Sequence, residues 1–170
     1  MKRIAKITGI ILFLIFLSIS IDRFITYHRT LVTLRGNSMT PTIAQGQEVK
    51  VYPYPSDQGP HRGDVIEYSS TNKLVQQFAP SGHLIDRVIG LPGDTISIHN
   101  DTVVVTNAQH PKGFNPDTGY VAPTVITSGN VTITLASNQY FVMGDNRLHA
   151  LDSRAIGPIS RQDILGKVSY

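Results

Sequence analysis

The 170-residue chain contains no cysteine. That excludes a thiolate nucleophile, a cysteine-ligated zinc and a disulfide framework, while leaving the compartment open. Charge is sparse and nearly balanced, with 15 Lys and Arg against 12 Asp and Glu, a net +3. Three of the basic residues, Lys2, Arg3 and Lys6, sit at the extreme N-terminus, so the rest has no basic stripe of the kind that nucleic acid requires. The histidines lack metal-ligand spacing; His28, His61, His83, His99 and His110 read as surface residues, and the pattern asks for no metal or other cofactor. The glycines of Gly90-Leu91-Pro92-Gly93 do not make a phosphate loop, because no Lys-Ser/Thr pair follows and no helix opens. Internal repeats and low-complexity tracts are also missing. What remains is enough chain for one domain with a real core.

One long apolar run is present. Residues 7–21 read ITGIILFLIFLSISI, preceded by Lys2, Arg3 and Lys6 and followed by Asp22-Arg23. The run is shorter than the ~20 residues that span a bilayer. Lys6 can snorkel, however, and Phe24, Ile25 and Tyr27 can carry a helix into the interface. We read it as an uncleaved anchor with its N-terminus in the cytoplasm, by the positive-inside rule. Residues 1–27 then form a basic tip and transmembrane helix, and residues 28–170 an extracytoplasmic domain at the cell membrane. A cleaved signal peptide is the rival, since Ser18-Ile19-Ser20 offers small residues at the right spacing. A buried core helix is a third alternative, against which the positive flank argues.

After Leu31 no helical period persists. Short β-type runs punctuated by Gly and Pro take over: Glu48–Tyr52, Asp64–Tyr68, Lys73–Phe78, Leu84–Ile89, Thr95–His99, Thr102–Thr106, Val131–Leu135, Tyr140–Met143 and Ile164–Val168. The break at Asn100-Asp101 between two alternating runs signals a hairpin. The pattern predicts a mainly β domain, an antiparallel barrel-like or folded sheet. Residues 107–129, rich in Pro, Gly, Thr and Asn, read as a loop or small insertion with little core of its own.

Three stretches carry possible chemistry. In Arg35-Gly36-Asn37-Ser38-Met39-Thr40-Pro41-Thr42, Gly36 permits a tight turn and Pro41 prevents a helix, leaving the Ser38 hydroxyl on a rigid corner where a nucleophile belongs. Taken alone, Ser38 is a serine in a polar loop. The second stretch, Leu84 to Asp94, is a strand followed by the tight turn Pro92-Gly93-Asp94. The third, Met143-Gly144-Asp145-Asn146-Arg147 through Ala150-Leu151-Asp152-Ser153-Arg154, sets two carboxylates and two guanidiniums in one loop. That predicts either a paired network or a solvated charged loop.

Together these stretches, with Arg62-Gly63-Asp64-Val65-Ile66 between them, resemble the bacterial type I signal peptidases (leader peptidases) in their small, single-anchor form, from about Leu31 to Val168. The resemblance implies a β-rich extracytoplasmic domain lying against the membrane and acting on exported preproteins. Such enzymes cut after small residues in an Ala-X-Ala-like pattern, using a serine nucleophile, a neutral lysine base and no metal. It makes Ser38 the nucleophile and its backbone N–H an oxyanion donor, within a loop formed by Gly36, Asn37, Met39 and Pro41. Gly36 stands where some members place an extra hydroxyl donor. Arg87, Gly90, Pro92, Gly93, Asp94, Gly144, Asp145, Asn146, Arg147, Asp152, Ser153 and Arg154 take structural places near the site.

The departure is at the base. Where the family places its lysine, this chain has Asp86, and the loop serine that steadies that lysine falls at Ala150. On a strand, Leu84, Asp86 and Val88 share one face and Arg87 points to the other, so Arg87 does not neutralise Asp86. Apolar surroundings raise an aspartate from its usual pKa of ~3.9 towards a useful base. His149 offers a second arrangement, a Ser38–His149–Asp86 triad, unless it is a solvent-facing loop histidine. Three functional classes follow: a membrane-anchored serine endopeptidase with an altered base, a pseudopeptidase that binds exported segments or assists surface assembly, and a non-catalytic tethered β-domain.

Overall fold

The structure, a computed structural model, describes residues 10–18, 30–121 and 125–170. Residues 10–18 are helical (α1), with apolar side chains from Ile10 to Leu17 exposed. No helix among the described residues is long and apolar enough to cross a membrane. Both ends of the expected anchor, with Lys2, Arg3, Lys6, Asp22, Arg23 and the interfacial Phe24, Ile25 and Tyr27, lie outside the described residues, as does His28.

Ten strands follow. They are β1 (Thr30–Thr33), β2 (Glu48–Tyr52), β3 (Val65–Ser69), β4 (His83–Gly90), β5 (Thr95–His99), β6 (Thr102–Thr106), β7 (Val131–Thr134), β8 (Gln139–Met143), β9 (Ile159–Ser160) and β10 (Ile164–Ser169). A seven-stranded sheet runs in the order β1-β2-β10-β3-β4-β8-β9, and a three-stranded sheet in the order β6-β5-β7; every pairing is antiparallel. The fold is mainly β, as the sequence pattern predicts. β4 lies inside the large sheet, so position 86 is buried by its neighbours on both sides.

The β5–β6 hairpin shows why local sequence suffices in places. Ile96, Ile98, Val103 and Val105 alternate inward and are fully buried. Asn100 and Asp101 both have positive φ, 48° and 61°. Such a two-residue turn matches the twist of the flanking strands, and Asn and Asp tolerate that conformation. These side chains meet Ile89 of β4 and Phe141 and Met143 of β8 in one core cluster, which binds the small sheet to the large one.

One element differs in type. Residues Lys73–Phe78 form a short helix, α2, instead of a strand. The Asn72 side chain accepts from the Leu74 N–H at 2.9 Å and caps it, and only Val75 is buried. Six residues are too few for the two periods to be told apart by pattern, and the cap decides. Two strands, β1 and β9, are read only from the tertiary pairing. The loop over residues 107–121 and 125–129 is irregular, but it is not detached. Phe114 bridges Val105 and packs with Tyr120 against the small-sheet core, and Thr127 is buried.

Candidate active site

The Ser38 loop leaves β1 and is held from beneath. Met39 and Ile43 are fully buried in a cluster with Leu34, Val49, Val65 and Ile85. Gly36 takes a φ of 99°, a conformation open to glycine. Asn146 clamps the loop from the other side. Its backbone N–H donates to the Ser38 carbonyl at 2.8 Å, and its Nδ2 donates to the Asn37 carbonyl at 3.1 Å and to Thr40 Oγ1 at 3.0 Å. The half-buried Ser38 makes no hydrogen bond through Oγ or through its own backbone N–H among the described residues. The Ser38 hydroxyl and amide are therefore both available.

Gly144 is the point where the site converges. A Cβ at this residue would lie 2.6 Å from the Ser38 carbonyl oxygen, 3.2 Å from Asp86 Oδ1 and 2.4 Å from the Ala150 Cβ. Three sequence-predicted positions, Ser38, Asp86 and Ala150, the outer two more than a hundred residues apart, thus meet around one glycine, and only a glycine lets them do so.

Asp86 is 1 % exposed, and Tyr68 Oη donates to its Oδ2 at 2.8 Å. Burial pushes this carboxyl well above the usual aspartate range, and the nearby Asp152 carboxylate pushes the same way. The Tyr68 hydrogen bond and the Arg154 guanidinium oppose them, and Asp145 adds to the rise. Arg87 faces away, as the strand period predicts. It grips Asp145 with Nε at 2.8 Å and Nη2 at 2.6 Å, donates to the Gly63 carbonyl, and lies over the Tyr120 ring. Thr42 Oγ1 also donates to Asp145, at 2.5 Å, which ties the Ser38 loop to the same pair.

The charged loop is a buried network. Asp152 is fully buried and caps the short helix α3 (Ser153–Ile156). It accepts from Arg154 Nε at 2.9 Å and Nη2 at 2.8 Å, and from the Gly144 N–H at 3.1 Å. Ser153 Oγ accepts from the Val142 N–H at 3.0 Å. Asp145 and Arg147 do not pair with each other. Arg147, wholly buried, reaches the loop at Asp117 (2.5 and 2.6 Å) and Thr127 (2.8 Å). Breaking a buried pair of this kind costs about 3–5 kcal/mol, against under about 1 kcal/mol at a surface.

The turn after β4 is structural. Gly93 has a φ of 85°, and Asp94 Oδ2 accepts from the Leu91 N–H at 2.6 Å and from Arg62 Nη2 at 2.8 Å. Pro92 lies within this turn, and a Cβ at Gly90 would strike Ile96 and Leu135 at 2.6 and 2.7 Å. His149 is exposed and makes no side-chain hydrogen bond among the described residues, so the structure does not join it to Ser38 or Asp86. Tyr68 was not singled out by sequence reasoning. The available signal was its register: Ile66 lies opposite Asp86, and Tyr68, two residues on, shares that face.

The site thus brings a loop serine with free hydroxyl and amide and a buried carboxyl together around Gly144 on a folded antiparallel sheet. The chain's relatives supply the class. The chain matches the family described as signal peptidase, peptidase S26, over residues 1–170. It is 29% identical over 176 residues to signal peptidase I V of Bacillus subtilis (strain 168), covering 99% of this chain and 97% of that protein. It is 32% identical over 142 residues to signal peptidase I U of the same strain, covering 80% and 71%. It is also 30% identical over 151 residues to signal peptidase IB of Staphylococcus aureus (strain N315), covering 81% and 74%. A crystal structure of a signal peptidase I from Enterococcus faecalis V583 is 25% identical, covers 67% of this chain and 100% of that one, and superposes with a TM-score of 0.47. The chain belongs to the signal peptidase family, peptidase S26, and is accordingly a serine endopeptidase that removes signal peptides from preproteins.

Proposed function

We propose that Ser38 and Asp86 carry this reaction as nucleophile and general base. The observation that supports it is the convergence at Gly144, where the Ser38 backbone and Asp86 Oδ1 approach the same point. Ser38 Oγ attacks the scissile carbonyl carbon as its proton passes to the Asp86 carboxylate. The developing oxyanion accepts from the free N–H of Ser38. Collapse breaks the C–N bond, and Asp86 returns the proton to the leaving amine. Water, deprotonated by the same carboxylate, then attacks the acyl carbon, and the proton passes from Asp86 to Ser38 Oγ as the ester C–O bond breaks. The substrates are exported preproteins cut after small residues in an Ala-X-Ala-like pattern. Residues 1–27 provide a cytoplasmic basic tip and a single span in the lipid bilayer, with the domain from residue 28 outside.

The test is cleavage of an Ala-X-Ala preprotein by the purified full chain in detergent. Asp86→Asn keeps the shape but cannot take the proton, and should lower turnover by roughly 10²–10⁴; Ser38→Ala should abolish it. Undiminished cleavage by Asp86→Asn would remove Asp86 from the mechanism and make His149 the next residue to replace. A wild type without activity, joined to Ser38-dependent cleavage gained in an Asp86→Lys, Ala150→Ser double variant, would instead mean that the scaffold is intact and the base was lost.

A further inference from the structure

Charged and titratable groups face Asp86 from each element packed on it. Tyr68 comes from β3, Asp152 and Arg154 from the start of α3, and Asp145 from the loop after β8. Asp145 is already engaged by Arg87 and Thr42, and Arg154 by Asp152. The two oxygens of Asp86 are therefore not equivalent. Oδ2 accepts the Tyr68 phenol in a fully buried pair, with Tyr68 itself 0% exposed. Oδ1 makes no hydrogen bond among the described residues and lies on the Gly144 side, where the Ser38 carbonyl approaches.

A phenylalanine would fill the same space in the core cluster that Tyr68 shares with Ile66, Val88 and Val142. The hydroxyl adds only the bond to Asp86, and a buried hydroxyl without a partner is costly, so the pair forms a unit. Burial and the neighbouring Asp86 charge hold the phenol proton on Tyr68, so it stays a donor.

We propose that Tyr68 is a positioning residue for Asp86: it occupies Oδ2, so that Oδ1 alone exchanges a proton with Ser38 Oγ. This rests on Asp86 being the base. The proton leaves Ser38 Oγ as the C–O bond forms, resides on Oδ1, and passes to the amine nitrogen as the C–N bond breaks. Tyr68 stabilises the ionised carboxylate and Asp152 destabilises it, so the two set its proton affinity in opposite directions.

The experiment uses the full chain in detergent, labelled with carboxyl-13C aspartate; the Asp86 signal is assigned by its loss in Asp86→Asn. Its titration is followed by NMR beside the pH profile of kcat/KM on a preprotein. In Tyr68→Phe, both the titration and the acidic limb should move up by about one pH unit, a tenfold loss of rate at a fixed pH on that limb. If Tyr68→Phe moves neither while the wild-type limb still tracks the Asp86 titration, the positioning role is overturned and the base assignment stands. If the titration moves but the activity limb does not follow it, Asp86 is not the base and both readings fall. Should Tyr68→Phe not fold, 3-fluorotyrosine at position 68 keeps the shape and strengthens the donor, so both should move down, and an upward or absent shift there overturns the proposal.

Discussion

At the scale of single residues, the burial of Asp86 bears on stability as well as on its proposed role. Its proton is held more tightly in the fold than in the unfolded chain, where an aspartate titrates near ~3.9. Between that value and the raised native one, the native state keeps a proton that the unfolded chain has released. Stability therefore falls as pH rises through this window, by up to about 1.4 kcal/mol per pH unit. Asp86→Asn removes the slope. The variant should gain stability relative to wild type as pH rises above about 4, as urea unfolding at several pH values would show; parallel curves would mean that the fold does not penalise the carboxylate. The same burial that would suit Asp86 to the proposed role of base makes it a liability to the fold, a common trade at active sites.

At the scale of elements, the turn from Gly90 to Asp94 fixes the end of β4 and hence the height of Asp86 in the sheet. Arg62 donates to the Ile89 carbonyl and to Asp94, and Asn107 Nδ2 donates to Asp94 Oδ1 at 2.8 Å, so strand, turn and loop share one anchor. Gly93 sits at φ 85° with open space around it, so the constraint there is conformational and not steric. Gly93→Val should cost about 1–3 kcal/mol. That corresponds to a melting point lower by about 2–4 °C per kcal/mol for a chain of this size. Unchanged melting with lost cleavage would instead assign the turn a direct chemical role.

At the scale of the whole molecule, the seven-stranded sheet gathers both halves of the site from opposite ends of the sequence. β1 delivers the Ser38 loop, and β4 and the loop after β8 deliver the rest. β1 begins at Thr30, and the Ser38 loop follows it directly in the chain. For the proposed single-span topology, protease added to spheroplasts with sealed membranes should digest the domain. Protection until the membranes are opened would refute that orientation, and a mature N-terminus near Ile21 would show the apolar segment to be a cleaved signal.

Much was determined by local sequence alone. The Asn100-Asp101 hairpin, the alternation of β5 and β6, the opposite faces of Asp86 and Arg87, and the motif carrying Ser38 all depend on residues close in the chain. Local backbone preference and the two-residue strand period act at that range. The helix at Lys73–Phe78 shows the limit, because six residues do not distinguish the periods. What only the tertiary structure decided is who meets whom. Arg87 binds Asp145 and Arg147 binds Asp117, although Asp145 and Arg147 are near neighbours in sequence. Asp86 finds Tyr68 across β3 and has Asp152 at its back, while exposed His149 makes no side-chain bond. Those pairings depend on register and burial, since a charge taken out of water must find a partner wherever the packing supplies one.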